Sequence, residues 1–262
     1  MRSTSPESRR RSPALRYPEY LRYHRGMDLP ADPKLQGAHP PGPEDAPLGA
    51  QISPDMRREN RIPPNQSRTK KWPVLDTGIH PKPIAPDDVT LELYGEVEAP
   101  VLLTWAELQA LPRAQVAADM HCVTRWSRLG NLWEGVRTRD LLEQITLKPT
   151  AKYVMVYGRD EVTFFRGGSA TWSTNLPLEY LLHDDCLVAW SHDGEPLSNE
   201  HGGPLRLVIP KLYAWKSAKW VSAIEFRQSD APGYWERGGY HMLGDPWKEQ
   251  RFRFSEDGED DQ

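Results

Sequence analysis

Proline sets the first limit on this chain: sixteen of its 25 prolines lie within the first 86 residues. Proline fixes φ and removes a backbone donor, so a run such as His39-Pro40-Pro41-Gly42-Pro43 cannot form a helix or a central strand. Residues 1–55 also lack any helical or strand periodicity, and they are expected to be a disordered or loosely wrapped arm. Packed structure is expected over residues 56–262, a length that suits one sizeable domain. Charge divides at nearly the same place. Residues 1–71 hold 14 Lys and Arg against 8 Asp and Glu, a net of +6, and the remainder holds 19 against 29, a net of −10.

A body this acidic offers no electrostatic footprint for nucleic acid. Arg9-Arg10-Arg11 reads as part of a solvated tail. Twin arginines of an export signal are followed by an apolar region, whereas Ser12 to Pro54 is polar and proline-rich. No apolar stretch reaches the length of a membrane span. The chain is therefore expected to be cytoplasmic. Two cysteines, Cys122 and Cys186, exclude a disulfide framework.

Beyond the arm, Asn60-Arg61-Ile62-Pro63-Pro64 reads as an extended segment laid over the body. Val89 to Tyr94 alternates as a strand and ends at Gly95. Thr104-Trp105-Ala106-Glu107 is a capping box that opens a short helix stopped by Pro112. A second short helix is expected after Thr138. A hairpin is expected over Tyr153–Phe165, turning near Gly158-Arg159-Asp160. Pro177 suits the first turn of a further helix. Cys186 to Trp190, Leu205 to Ile209 and Trp220 to Phe226 read as buried strands. This pattern predicts an α+β fold, mixed and strand-rich with short helices.

Cys122 ends a strand and enters a loop that carries Thr124, Arg125, Trp126, Ser127 and Arg128. Nearby cations stabilise a thiolate, and a thiolate suits a transition metal; a buried, inert cysteine is the other reading. Cys186, in Asp185-Cys186-Leu187-Val188-Ala189, reads as core. No paired Cys or His spacing supports structural zinc, and no glycine-rich nucleotide loop occurs. Further along, His201-Gly202-Gly203-Pro204-Leu205-Arg206 places a planar guanidinium beside two glycines. Lys211, Lys216 and Ser217-Ala218-Lys219 follow. Together these form either a phosphate cradle or an ordinary hairpin with solvated lysines.

A cysteine at a strand-to-loop junction, then HGxPxR, then SxK-W resembles the molybdenum-cofactor domain of the sulfite oxidase superfamily. The stretch "HCVTRWSRLGNLWEGV" is most similar to bacterial cytoplasmic sulfite-oxidase-like proteins, relatives of the protein-methionine-sulfoxide reductase catalytic subunit. The resemblance implies a molybdenum–molybdopterin cofactor, with Cys122 as the metal ligand and the catalytic centre. It implies cofactor contacts from His201, Arg206, Ser217, Ala218 and Lys219, and more loosely from Asn60. It also implies oxygen-atom transfer to or from a sulfur-containing small molecule, of sulfite or sulfoxide type, with an electron-transfer partner that the residues do not identify. Trp172 stands where sulfite oxidases carry a tyrosine near the metal, a departure that weighs against sulfite oxidation. The chain after Phe226 is too short for the β-sandwich through which many sulfite oxidases dimerise, so a monomer is expected.

Arg125 and Arg128 would draw an anion to such a site, whereas Trp126 and Trp172 would meet a thioether or sulfoxide. Two other readings stay open from the residues. One is a cofactor carrier without turnover. The other is a thiol enzyme built on Cys122 with His121 or His201. Adjacent strand residues point to opposite faces, which makes His121 a poor base for Cys122.

Overall fold

In a computed structural model of the chain, residues 39–163 and 168–253 are described; Arg9–Arg11 lie outside them. The strands in chain order are β1 (Gln51–Ile52), β2 (Ser67–Arg68), β3 (Thr90–Gly95), β4 (Val101–Thr104), β5 (Arg113–His121), β6 (Trp126–Arg137), β7 (Tyr153–Thr163), β8 (Ser169–Pro177), β9 (Leu187–His192), β10 (Glu195–Pro196), β11 (Arg206–Val208) and β12 (Ala223–Arg227). They form two mixed sheets. One runs β1-β5-β6-β9-β10, with β2 beside β6 and β11 beside β9; the other runs β4-β3-β12-β7-β8. Helices are short, as expected: Trp105–Ala110 is the longest α-helix among the described residues. Its Thr104 hydroxyl accepts from the Glu107 amide while the Glu107 carboxylate takes the Thr104 amide. No helix of the described residues is long and apolar enough to cross a membrane.

The main core lies between the sheets, where Val136 and Val188 of the first meet Leu91, Val154 and Ile224 of the second. The first sheet also buries its other face. Along β5, Val116, Ala118, Met120 and then Cys122 join a second apolar cluster with Trp126 and Trp133. Ala117, Asp119 and His121 alternate to the opposite side, where all three are buried. The register slips between Ala118–Asn131 and Met120–Arg128, and the extra residue falls on β6 at Gly130, whose φ is 71°. The alternation of β5 survives the bulge and delivers Cys122 to the cluster side.

Two expectations change here. Residues 39–55, placed in the arm by their prolines, include a 3-10 turn at Pro43–Asp45 and the strand β1, which pairs in parallel with β5. Arg61 then clamps the segment down, its Nε and Nη2 donating to the two Asp119 oxygens at 2.8 and 2.6 Å. Proline is no obstacle in 3-10 first turns and beside a two-residue edge strand, so proline density overstated the arm. The second change is at Gly158-Arg159-Asp160. These residues make a bulge inside β7, between the pairs Tyr157–Ser173 and Glu161–Thr171, and the hairpin turns only after Thr163. Gly158 permits the bulge: a Cβ there would sit 2.3 Å from Asp160 Oδ1.

Candidate active site

Cys122 closes β5 as the first residue of a tight turn, with the Arg125 amide donating to its carbonyl at 3.0 Å. Arg125 takes the left-handed conformation, φ 70°. Cys122 is 7% exposed and looks into a cleft of about 100 Å³. The Thr124 hydroxyl donates to Sγ at 3.2 Å. Burial pushes the thiol up, against the pull of Thr124 and of the Arg251 guanidinium. Arg251 is largely buried and donates to the Val123 carbonyl at 2.6 Å.

The structure brings Trp126, Trp172, Arg206, Ser217 and Lys219 to the same cleft as Cys122. Arg206 is buried against the faces of Trp72 and Trp133, each 5.3 Å from its guanidinium carbon. It donates to the His201 and Ser217 carbonyls at 2.9 and 3.2 Å, and burial lowers its pKa to about 9. The His201 ring stacks on Trp72, 3.8 Å between centroids. Ser217 Oγ accepts from the Ile209 amide at 3.0 Å. Ala218 is buried behind the wall, its carbonyl taken by the Leu207 amide. Lys219 Nζ donates to Asp76 at 2.9 Å and to the Glu200 carbonyl at 2.7 Å. Gly202 serves this packing: a Cβ on it would meet Lys219 at 2.9 Å, so the close approach is to the protein itself.

Other expected residues lie elsewhere. Asn60 is exposed, and its Oδ1 accepts from the Ile62 amide in a local turn. Neither Arg125 nor Arg128 lines the cleft. Arg128 is engaged by Asp193 at 2.6 Å, by Asn131, and by His192 Nε2 at 3.0 Å. Lys216 is buried against Glu236. His121 faces away from the cleft, with Nδ1 2.8 Å from Ser127 Oγ, and among the described residues Cys122 has no imidazole partner. That geometry gives the thiol-enzyme reading no base.

Composition pointed to something that local motifs missed: six of the ten tryptophans line this one cleft, namely Trp72, Trp126, Trp172, Trp215, Trp220 and Trp235. Its charged residues are balanced, Asp76 and Asp160 against Arg206 and Lys219. Trp72 and Asp76 come from an irregular strap after β2, tied to the body by Lys219 and by Asn199 Nδ2 donating to the Pro81 carbonyl at 3.1 Å.

Residues 78–235 match the family model described as the oxidoreductase molybdopterin binding domain. The chain belongs to this family. It is similar to the uncharacterized oxidoreductase YuiH of Bacillus subtilis, 46% identical over 74% of this chain and 93% of that protein. The putative protein-methionine-sulfoxide reductase subunit YedZ1 of Azospira oryzae is 30% identical over 59% of this chain and 55% of its own length. Among solved structures, the sulfane dehydrogenase SoxCD of Paracoccus pantotrophus shares the fold, with a TM-score of 0.50 and 23% identity over 60% of this chain and 42% of that one. As a molybdopterin-binding oxidoreductase, this protein takes molybdenum–molybdopterin as its cofactor. The cleft fits such a group: it offers a thiol, and Arg206 Nε and Trp126 Nε1 on its lining are buried with no partner among the described residues, as is His201 Nδ1 behind Trp72.

The histidines around the cleft predict an acid sensitivity. Burial holds His192 at about 3 and His201 at about 4, far below the roughly 6.5 of an unfolded chain. Between those values the unfolded state binds more protons, so stability is fully present above pH ~6.5 and is lost as pH falls toward 4. The melting temperature should hold steady above pH 7 and drop progressively below 6.5, with a shallower drop in His192→Gln. A flat profile down to pH 5 would show that the imidazole protonates in place.

Proposed function

We propose that this oxidoreductase removes oxygen from a neutral sulfoxide, yielding a thioether and water. The observation that carries the reading is the cleft itself, walled by tryptophans, balanced in charge, and without Arg125 or Arg128. Such walls suit an apolar sulfoxide better than a sulfite anion, which needs a cationic mouth. Trp172 and the similarity to a protein named as a putative protein-methionine-sulfoxide reductase subunit support the same direction.

In this proposal Cys122 supplies the thiolate to molybdenum, Arg206, Ser217 and Lys219 hold the anionic end of the pterin, and His201 packs beside it. The bound cofactor supplies two-electron redox chemistry at the metal. Arg206 is suited to hold phosphate because its guanidinium is fixed against two indoles and keeps Nε open. Trp126 and Trp172 exclude water and orient the sulfur substituents. Protein loaded with molybdenum should oxidise a reduced viologen when given an alkyl aryl sulfoxide, and should reduce ferricyanide only weakly when given sulfite. Strong sulfite-dependent turnover with none on sulfoxides would overturn the reading.

A further inference from the structure

Asp160 is the buried acid in the cleft that the reading above leaves without a task. It is 3% exposed, lines the same cleft as Cys122, and its Oδ1 has no hydrogen-bond partner among the described residues. Two local features put it there. The bulge in β7 sets residues 158–160 opposite Trp172, between the pairs Tyr157–Ser173 and Glu161–Thr171. Gly158 leaves room for Oδ1 to fold back over the backbone, where any Cβ would clash. Among the described residues Asp160 also makes no salt bridge, although Lys219 and Arg206 line the same cleft. A structural aspartate would be paired.

We propose that Asp160 is the catalytic acid that delivers a proton to the oxygen leaving the substrate sulfur. The inference rests on the sulfoxide reading. In the balanced step the S=O bond breaks and the thioether sulfur is released. Two electrons arrive through the cofactor from an external reductant such as a reduced viologen. The oxygen leaves as water with two protons, one from Asp160 and one from solvent, and solvent reprotonates the carboxylate.

The surroundings raise the acid enough to be protonated below about pH 6. Burial raises its pKa to about 6 and Asp76 on the strap adds to this; a hydrogen bond from its own amide, Lys219 and His80 pull the other way. Burial raises Tyr234 of the tail, and the Asp160 charge adds to this. Its neighbours on β7 are Arg159, lowered by burial, and Glu161. A general acid works best with a pKa near the operating pH.

The test uses molybdenum-loaded wild type and Asp160→Asn, with reduced methyl viologen and methyl phenyl sulfoxide, from pH 5 to 8. Wild-type kcat should decline through one ionisation near pH 6. Asp160→Asn should lower kcat about 100-fold, the scale of a lost general acid, with KM and metal content unchanged and the pH 6 limb gone. Asp160→Glu should restore part of the rate. A second readout is independent of turnover. An aspartate raised on folding destabilises the protein once ionised, so Asp160→Asn should melt higher than wild type above pH 6 and equally near pH 4. An active wild type whose pH profile is shared by Asp160→Asn overturns the acid role alone. A fully loaded wild type inactive on every sulfoxide overturns the sulfoxide reading and the acid role with it.

Discussion

Cys122→Ser protein, purified from a host that makes the cofactor, is expected to fold as wild type and to lose at least about 100-fold of its sulfoxide-dependent turnover. Changes to the outer-shell partners of metal ligands already cost 10- to 100-fold, and this change removes the proposed ligand itself. The substitution is nearly isosteric, and the Thr124 hydroxyl that now reaches Sγ at 3.2 Å can serve an oxygen equally well. What changes is the donor. A serine hydroxyl does not ionise in this buried turn, where even the more acidic thiol is pushed up. Its hard oxygen also suits the metal less than a soft sulfur. Molybdenum analysis and visible absorption should show weaker or electronically altered metal in the variant. Cys186→Ser is the matched control: Cys186 is fully buried in the main core, away from the cleft, and its loss should leave turnover intact. A Cys122→Ser enzyme with wild-type rate and spectrum would remove Cys122 from the metal.

What the sequence disclosed follows from how far each signal reaches along the chain. The Thr104–Glu107 capping box closes within four residues, so it was legible. The alternation of β5 was legible too, because it is a period-two pattern: it sends His121 to Ser127 and Cys122 to the cleft. The HGxPxR and SxK segments could be read as a cradle because each is contiguous. Signals that depend on distant partners were not legible. Arg125 and Arg128 are close to Cys122 in sequence, yet the guanidinium that acts on the thiol is Arg251, from the far end of the chain. Arg128 is diverted by Asp193 and His192, which no local motif announces. The Gly-Arg-Asp triplet carries the chemistry of a turn, and only the register of β8 converts it into a bulge. The tryptophans were countable, but their convergence on one cleft is a property of the fold.

Glu236→Ala is expected to be the most destabilising single change in the body, by about 3–5 kcal/mol, the usual result of stranding a buried charge. Lys216 and Glu236 are both 0% exposed and 2.6 Å apart. Glu236 Oε1 also accepts from the Thr174 hydroxyl at 3.0 Å and the Trp215 indole at 2.9 Å. Lys216 Nζ donates to the Asn175 carbonyl and to its Oδ1 at 3.0 and 2.8 Å. Burial lowers the lysine, and the Glu236 carboxylate is what opposes that. With the carboxylate gone, the ammonium must stay charged without a counter-ion or give up its proton. At roughly 2–4 °C per kcal/mol for a domain of this size, the melting temperature should fall by about 10 °C. Replacing both partners, Lys216→Met with Glu236→Leu, should recover most of the loss, since a matched apolar pair leaves nothing stranded. The pair also has a consequence for the cleft. Three of the groups it joins lie beside an aromatic wall: Thr174 is two residues beyond Trp172 on β8, Lys216 follows Trp215, and Glu236 follows Trp235. One buried network therefore fixes three walls contributed by three separate segments. The apolar double variant should regain stability and yet bind sulfoxide with a raised KM, because the Trp215 indole then has no carboxylate to hold it. A Glu236→Ala protein that melts within 2–4 °C of wild type would mean that Lys216 is already neutral in the fold, and that packing alone holds the walls.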